Sequence, residues 1–218
     1  LKAHHPAEFM ANVLNNRGGF YSAGVYINEC KRMGLKVLLP SINKSNYRYE
    51  GKFPEIIIGL MAIKNIEKET LTKIVEEREA KGKYRSLVDF ISRTRTTHEK
   101  TKILIKCGAM DCLNETRPTL MRLADIHYNS KAIHNDEFVG NLFSQEILQM
   151  ERDVRTERQY KAAEICAFEQ EYFGFTVTHH PIEFIRDIYD SPEIVKAKDL
   201  AENRNRRIKM VGWFMTSK

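Results

Sequence analysis

The residues around Asn65-Ile66-Glu67 have the types and spacing to bind a phosphate group. The segment from Ile57 to Lys68 has the form of a helix-hairpin-helix motif: an apolar helix, a tight turn around a central apolar residue, then a second helix. In that motif the amides of the turn and the N-terminus of the second helix point outward and bind a backbone phosphate. Taken alone, the segment also fits a plain helical turn, which is the more common arrangement.

Basic side chains surround this segment. Lys64, Lys68 and Lys73 would lie beside a phosphate if the motif binds DNA, and would form a solvated helix face if it does not. The formal net charge of +6 and the pI of about 9.1 permit a nucleic-acid partner but do not require one. The candidate DNA-binding residues are Lys64, Asn65, Ile66, Lys68, Lys73, Lys106 and Arg117.

Other residue types that do chemistry give no candidate catalytic or metal-binding residue. The aspartates are expected to be caps and solvated side chains of helices or of a linker; they are Asp89, Asp111, Asp125, Asp136 and Asp153. The four cysteines lack CxxC spacing, which indicates reduced thiols on buried faces and not a zinc site or disulfides. The pairs His4-His5 and His179-His180 stand beside prolines in turns, where a structural role is favoured over metal binding.

Length and composition indicate a soluble, folded chain. Its 218 residues suffice for one large or two small domains, and 42% hydrophobic with 29% charged residues argues against wholesale disorder. No apolar run approaches the length of about 20 residues that a membrane helix needs, and no signal peptide is present. We therefore expect a cytoplasmic protein without a membrane partner. The chain begins at Leu1 inside a helical pattern, which suggests a piece of a longer protein.

The periodicity of apolar residues predicts mostly helices. Helices are expected over residues 6–14 and 20–33, then a strand at 36–40, a small hairpin around Gly51, and interrupted helices from 59 to 123. These last helices form two helix–turn–helix units. A polar linker should cover residues 128–150, followed by a charged helix over 151–172 and a single strand over 206–214.

Several segments, in order along nearly the whole chain, resemble the bacterial DNA polymerase III alpha subunit. They are LKAHHPAEFMANVLNN (1–16), NECKRMGLKVLLPSINKS (28–45), GLMAIK (59–64), SLVDF (86–90), LIKCGAMD (104–111), EQEYFGFTVTHHP (169–181) and MVGWF (210–214). The resemblance implies a fragment of a DNA-directed DNA polymerase. The palm aspartates that hold two magnesium ions in that family would lie upstream of Leu1, so this chain alone should contain no cofactor and be inactive.

The resemblance also implies a division of the chain into parts. The fold class is expected to be mainly α with a small β element. The expected parts are the C-terminal part of the fingers region (1–58), a tandem helix-hairpin-helix DNA-binding domain (59–127), a linker (128–150), a helical connector (151–205), and the first strand of a truncated oligonucleotide-binding (OB) fold (206–218).

Two departures from the family's pattern bear on function. The family has glycine on both sides of the hairpin's central apolar residue, whereas this chain has Asn65 and Glu67. Asn65 can take a left-handed conformation, but the charge of Glu67 would repel a phosphate. The family's internal peptide for binding the sliding clamp, of the type Gln-x-x-Leu-Phe, corresponds to 139–143. The candidate clamp-binding residues are Val139, Asn141, Leu142 and Phe143.

Two readings of the function remain open. In the first, the fragment holds duplex DNA behind a polymerase active site by its backbone, independent of sequence, while the linker tethers the clamp; its partners are double-stranded DNA, the sliding clamp and other replisome subunits. In the second, the chain is a non-catalytic DNA- and clamp-binding scaffold or a degenerate paralogue of the polymerase. Leu142 and Phe143 could also pack back on the hairpin domain, without binding a clamp.

Overall fold

The structure is a computed structural model that describes residues 2–16, 21–133, 149–150 and 152–212. The described part is mainly helical and contains one small sheet. Among the helices in these ranges, none combines the length and the apolar character that a membrane crossing needs.

The first two helices pack against each other as their apolar spacing predicts. Helix α1 (Pro6–Asn16) begins at a proline, whose missing N–H costs nothing in a first turn, and it buries one side of its surface. Helix α2 (Ala23–Arg32) begins later than the predicted residue 20, because Ser22 has the extended backbone of an N-cap. Gly34 follows α2 with a φ of 79°, the left-handed conformation that commonly ends a helix.

A three-stranded mixed sheet covers α1. The strands β1 (Lys36–Leu38), β2 (Glu50–Lys52) and β3 (Glu55–Ile57) lie in the order β1-β3-β2, with β1 parallel and β2 antiparallel to β3. Gly51 lies where β2 crosses α1, and a Cβ atom there would come within 2.1 Å of the carbonyl oxygen of Ala7. The absence of a side chain at Gly51 therefore allows the helix and the sheet to pack this closely.

The middle of the chain forms two successive helix–turn–helix units, as predicted, but the first helix of the first unit is only a 3₁₀ helix (Leu60–Ala62), since Ile57 pairs in β3. Helix α4 begins at a serine cap, since the Ser86 hydroxyl accepts a hydrogen bond of 3.1 Å from the amide of Asp89. The elements are a 3₁₀ helix (Leu60–Ala62), α3 (Lys68–Lys81), α4 (Leu87–Thr94), α5 (His98–Lys106), a second 3₁₀ helix (Asp111–Leu113) and α6 (Arg117–Ile133).

The predicted charged helix over residues 151–172 is wrong in its first half. Residues 154–161 are not helical, and α7 covers only Ala162–Tyr172. The reason is a tertiary contact: the Thr156 carbonyl oxygen accepts hydrogen bonds from the hydroxyls of Thr116 (2.9 Å) and Thr119 (3.2 Å). The Thr156 amide also donates to the Thr119 hydroxyl at 3.0 Å, so both backbone groups of residue 156 bond to the start of α6 and not within a helix.

The last part of the described chain consists of short elements. They are a 3₁₀ helix (Pro181–Ile185), α8 (Arg186–Tyr189) and another 3₁₀ helix (Ala197–Asn203). Lys209 forms an isolated parallel bridge with Ile194, so the terminal segment has a partner that the sequence did not reveal. The predicted strand over 206–214 is wrong for the described residues 206–212, which form only this bridge because Ile194 pairs with the segment at a single residue. The assignment of 206–218 to an OB fold stays a prediction.

One hydrophobic core joins these elements. It contains residues from α1, α2, the sheet, and both helix–turn–helix units, and it also includes Tyr172, Phe173, Phe175 and Val177 from the chain after the linker. The segment 172–177 is held by further contacts: the buried carboxylate of Glu169 accepts the amide of Val177 at 2.6 Å. The predicted parts of the chain therefore share a core. The linker predicted to start at residue 128 is wrong for 128–133, because α6 continues to Ile133; the other boundaries stay predictions.

Candidate nucleic-acid interface

The predicted hairpin turn exists and has the backbone that the sequence suggests. Between the 3₁₀ helix at 60–62 and α3, Asn65 takes a φ of 62° in the left-handed region. Ile66 is 8% exposed and points into the core. Glu67 is the N-cap residue, and α3 begins at Lys68. The turn therefore delivers the N-terminus of α3 to the surface directly after a buried anchor.

A second turn repeats this geometry between α4 and α5. Arg95 takes a φ of 53°, Thr96 is 5% exposed, Thr97 is the N-cap residue, and α5 begins at His98. The order of left-handed residue, buried residue, N-cap and helix start is the same as in the first turn. Sequence reasoning did not single out Arg95, Thr96 and Thr97 as site residues. Arginine is not typical of a left-handed position, so the local signal for this turn is weak.

The second turn is held rigidly from inside the protein. The Tyr128 hydroxyl of α6 donates a hydrogen bond to the carbonyl oxygen of Thr96, and it lies 2.9 Å from the Thr101 hydroxyl. The hydroxyls of Thr94 and Thr96 are 2.7 Å apart. Because its buried side is fixed by hydrogen bonds, the backbone of this turn is already in place before any ligand arrives.

Neither turn uses its N-cap side chain to cap the helix that follows. The side chains of Glu67 and Thr97 accept no capping hydrogen bond from the amides of α3 and α5. A helix N-terminus with such amides carries a partial positive charge and is a binding position for an anion. The two turns therefore offer two such positions in one domain.

Glu67 makes the two positions unequal. Its carboxylate pairs with the ammonium group of Lys100 on α5, and that ammonium also donates to the Thr70 hydroxyl at 3.3 Å. The hydrogen bond from Lys100 lowers the pKa of Glu67, so this carboxylate carries its negative charge at neutral pH. The first turn thus has a fixed negative charge beside its helix N-terminus, as its sequence suggested, whereas the second turn has a threonine there.

The predicted lysines near the first turn are exposed. The side chain of Lys64 is exposed. Its backbone amide donates a hydrogen bond of 2.8 Å to the carbonyl oxygen of Tyr172. The Lys68 ammonium lies 5.8 Å from the centre of the Tyr47 ring. Lys73 is exposed further along α3, one helical turn from Glu77. All three cations are exposed on the same unit as the turn, where an anionic partner can approach them.

Two predicted DNA-binding residues have other contacts. Lys106 is half-buried at the end of α5, with its ammonium 5.3 Å from the centre of the Phe168 ring and 3.4 Å from the Tyr172 hydroxyl. Arg117 is 3% exposed. Its guanidinium donates to both carboxylate oxygens of Asp111, at 2.8 and 2.7 Å, and to the carbonyl oxygen of Lys106 at 3.0 Å.

Arg117 therefore supports the turn after α5 and does not reach the surface. Gly108 in that turn has a φ of 82°, and a Cβ atom there would lie 2.2 Å from the Arg117 guanidinium. The buried guanidinium thus uses the space that a side chain at Gly108 would fill. We leave Arg117 out of the proposed interface, because a buried guanidinium whose three nitrogens each donate to Asp111 or Lys106 cannot reach a phosphate without rearrangement of this turn.

Three of the aspartates that the sequence singled out, Asp89, Asp111 and Asp125, have structural contacts. Asp89 lies in the first turn of α4, where its carboxylate accepts the amide of Arg85 at 3.0 Å. Asp111 pairs with Arg117, as described above. Asp125 on α6 lies 2.8 Å from the His98 ring and 2.6 Å from the Lys102 ammonium. The candidate clamp-binding residues lie outside the described residues; they are Val139, Asn141, Leu142 and Phe143.

Comparison with known proteins supports the interpretation of the turns. A family described as "Helix-hairpin-helix motif" matches residues 34–120, a range that contains both turns. The predicted fold class, mainly α with a small β element and a helix-hairpin-helix domain, is therefore confirmed.

Longer relatives match almost the whole chain. The DNA polymerase III subunit alpha of Borreliella burgdorferi is 33% identical over 97% of this chain and 20% of its own length. The protein of the same name from Staphylococcus aureus strain MRSA252 is 33% identical over 84% of this chain and 17% of its own length. The chain spans about a fifth of the length of these relatives.

Proposed function

Because this chain is a homologue of a segment of DNA polymerase III subunit alpha, we propose that it holds duplex DNA by its sugar-phosphate backbone in a replicative polymerase. The observation that carries the proposal is the repeated turn geometry at Asn65-Ile66-Glu67 and Arg95-Thr96-Thr97. Each turn presents a helix N-terminus at the surface directly after a buried anchor. Two such positions can contact two phosphates of one duplex.

Backbone contact suits an enzyme that must copy any sequence. Phosphate contacts fix the position of a protein on DNA but carry no information about the bases. The exposed side chains of Lys64, Lys68 and Lys73 on the first unit, and of Arg95 on the second, add charge that attracts DNA of every sequence. The proposed DNA contacts are therefore these four side chains and the amides of the two turns.

Binding of short duplexes tests the proposal. Fluorescence anisotropy with two duplexes of unrelated sequence should give equal affinities, and raising the salt from roughly 50 to 200 mM should weaken both steeply, because released counterions favour dissociation. The double variant Lys64→Gln/Lys68→Gln should reduce this salt dependence, whereas Lys52→Gln, an exposed lysine on β2, should not. Binding that ignores salt, or no binding at low salt, would contradict the proposal.

The polymerase activity of the longer protein is part of the proposal, with magnesium held by palm aspartates outside this chain. The isolated chain should then incorporate no nucleotide on a primed template with magnesium.

The alternative of a non-catalytic scaffold has one observation in its favour, the Glu67 carboxylate at the first turn. The coding sequence upstream of Leu1 distinguishes the two: a palm with paired aspartates supports the polymerase, and a nearby start codon supports the scaffold. Either role in DNA replication would place the protein in the cytoplasm.

A contact with the sliding clamp through 139–143 is a further part of the proposal. It is supported by the sequence alone: Leu142 and Phe143 form the apolar pair that such peptides insert into a pocket, while Val139 stands in place of the usual glutamine. Each inserted side chain is worth roughly 1.5–3 kcal/mol before ordering costs. A peptide of residues 134–150 should bind the clamp weakly in calorimetric titration, and Phe143→Ala should abolish the binding. An inert peptide would mean that the pair packs elsewhere.

A further inference from the structure

A cavity of about 620 Å³ opens beside the first turn. Its walls come from the end of α1, the start of α2, the loop before β2, the 3₁₀ helix at 60–62, and the turn itself. The lining contains a cluster of aromatic side chains beside aliphatic ones: Tyr21, Tyr26, Tyr47, Tyr49 and Phe173. A cavity of this size has room for a planar group together with the sugar or chain that carries it.

The charged side chains among the described residues that line the cavity are all positive. Lys64 and Lys68 line it, and no aspartate or glutamate is among the described residues that do so. The Lys68 ammonium, 5.8 Å from the centre of the Tyr47 ring, brings this charge directly to the aromatic wall. Such a lining fits a ligand that is both planar and anionic, and it fits an apolar protein segment less well because both lysines would lose water without a partner.

The aromatic rings differ in how far a ligand can reach them. Tyr49 and Phe173 are 6% and 5% exposed and belong to the core, so they form the floor. Tyr21 is 49% exposed, and its ring meets that of Tyr26 edge to face with 6.4 Å between centres. About half of the Tyr21 side chain is therefore exposed at the rim, where a planar ligand can contact it.

We infer that this cavity binds an unpaired nucleotide of a single-stranded DNA segment that continues from the duplex. The inference rests on the proposed function, because the strand would reach the cavity from the first turn. Asn65 and Ile66 shape that turn and also line the cavity, so a strand passing the turn lies next to the opening. The base stacks on the tyrosine rings, and the ammonium groups of Lys64 and Lys68 contact the phosphate.

Three ligands distinguish this site from duplex binding: a blunt duplex, the same duplex with a short thymidine overhang of either polarity, and free thymidine monophosphate. One of the two overhangs should bind about tenfold more tightly than the blunt duplex, the effect of stacking one base on an aromatic ring. Tyr21→Ala should remove this advantage and leave the affinity for the blunt duplex unchanged. Phe53→Ala is the matched control, since Phe53 is an aromatic residue with 65% exposure that does not line this cavity.

Photo-crosslinking tests the site without any substitution. A 5-iododeoxyuridine in the overhang should crosslink to Tyr21 or Tyr26, located at the level of single residues by mass spectrometry, and not to Phe53. The inference is overturned if the wild-type chain shows no overhang advantage while it binds the blunt duplex, if crosslinks form only elsewhere, or if free thymidine monophosphate binds as tightly as the overhang. Failure to bind the blunt duplex at low salt would instead remove the proposed function.

Discussion

The carboxylate of Glu67 and the ammonium group of Lys100 form an ion pair that joins the first hairpin turn to the helix of the second. Glu67 is the N-cap residue of α3, and Lys100 lies in the first turn of α5. The pair therefore connects the two helix N-termini that we propose as phosphate positions. The Glu67 carboxylate puts a negative charge at the N-terminus of α3. The same pair neutralises the positive charge of Lys100 near the N-terminus of α5.

Replacing this carboxylate should strengthen DNA binding. Glu67→Gln removes a charge that repels a phosphate about 6 Å away, and it frees Lys100 to face the DNA, so the affinity for duplex DNA should rise roughly threefold at low salt. Glu76→Gln, an exposed glutamate of the same helix, is the control for a general change of charge. Fluorescence anisotropy measures both. If Glu67→Gln and Glu76→Gln bind DNA equally, the first turn does not approach a phosphate.

A substitution at Arg95 should separate stability from DNA binding. A left-handed backbone costs a non-glycine residue roughly 1 kcal/mol, so Arg95→Gly should leave the free energy of unfolding unchanged or raise it slightly. The same change removes a proposed phosphate contact and should lower the salt dependence of log Kd by about one unit of slope.

Urea denaturation and anisotropy at several salt concentrations measure the two effects. Arg95→Asn is the matched variant, because asparagine tolerates the left-handed conformation and is uncharged, and it should lose the same contact. An unchanged salt slope in both variants would exclude the second turn from the interface.

Arg117→Ala should weaken the fold and spare the interface. The change leaves the carbonyl oxygen of Lys106 and the carboxylate of Asp111 without their buried donor. Because Asp111 is partly exposed, water screens part of this loss, and we expect the free energy of unfolding to fall by about 2 kcal/mol. Arg122→Ala, at an exposed position of the same helix, should change it little. A loss of DNA affinity in folded Arg117→Ala protein would show that this side chain reaches DNA after all.

Buried thiols should make the protein less stable in alkali. Burial raises the pKa of Cys30 from 9.0 to about 11 and that of Cys107 from 9.0 to about 12. In the unfolded chain these thiols lose their protons near pH 9, so the folded state binds more protons above that pH. The stability contributed by the protonated thiols is fully present below pH 9 and is lost as the pH rises towards 11 and 12.

Urea denaturation at pH 8 and at pH 10 should show this loss, at roughly 1.4 kcal/mol per pH unit for each thiol. Cys107→Ala should have a shallower dependence, since one of the two groups is gone. Equal free energies of unfolding at both pH values would contradict the burial of these thiols.

The elements that the sequence predicted well are those with local causes. Pro6 begins α1, the Ser86 hydroxyl begins α4, and the left-handed Gly108 follows α5. The left-handed backbone at Asn65 was also predictable, because asparagine is one of the few residues that adopt it readily. In each case the residue type itself favours the conformation.

What the sequence could not reveal depends on contacts between distant residues. The non-helical path around Thr156 is set by the hydroxyls of Thr116, just before α6, and Thr119, in its first turn, some forty positions earlier in the chain. The burial of Arg117 depends on a glycine and an aspartate in the preceding turn. The likeness of the turn at Arg95 to the turn at Asn65 became visible only when their backbone conformations could be compared.

The shared core determines which pieces of this chain can be produced on their own. A piece covering residues 59–127 would lack Tyr172, Phe173, Phe175 and Val177, and with them the carbonyl group that receives the Lys64 amide. Its exposed apolar surface would favour aggregation, and the first turn would lose an anchor. An expression clone should therefore extend at least through Thr178, and limited proteolysis of the whole chain should release no stable fragment that ends near residue 127.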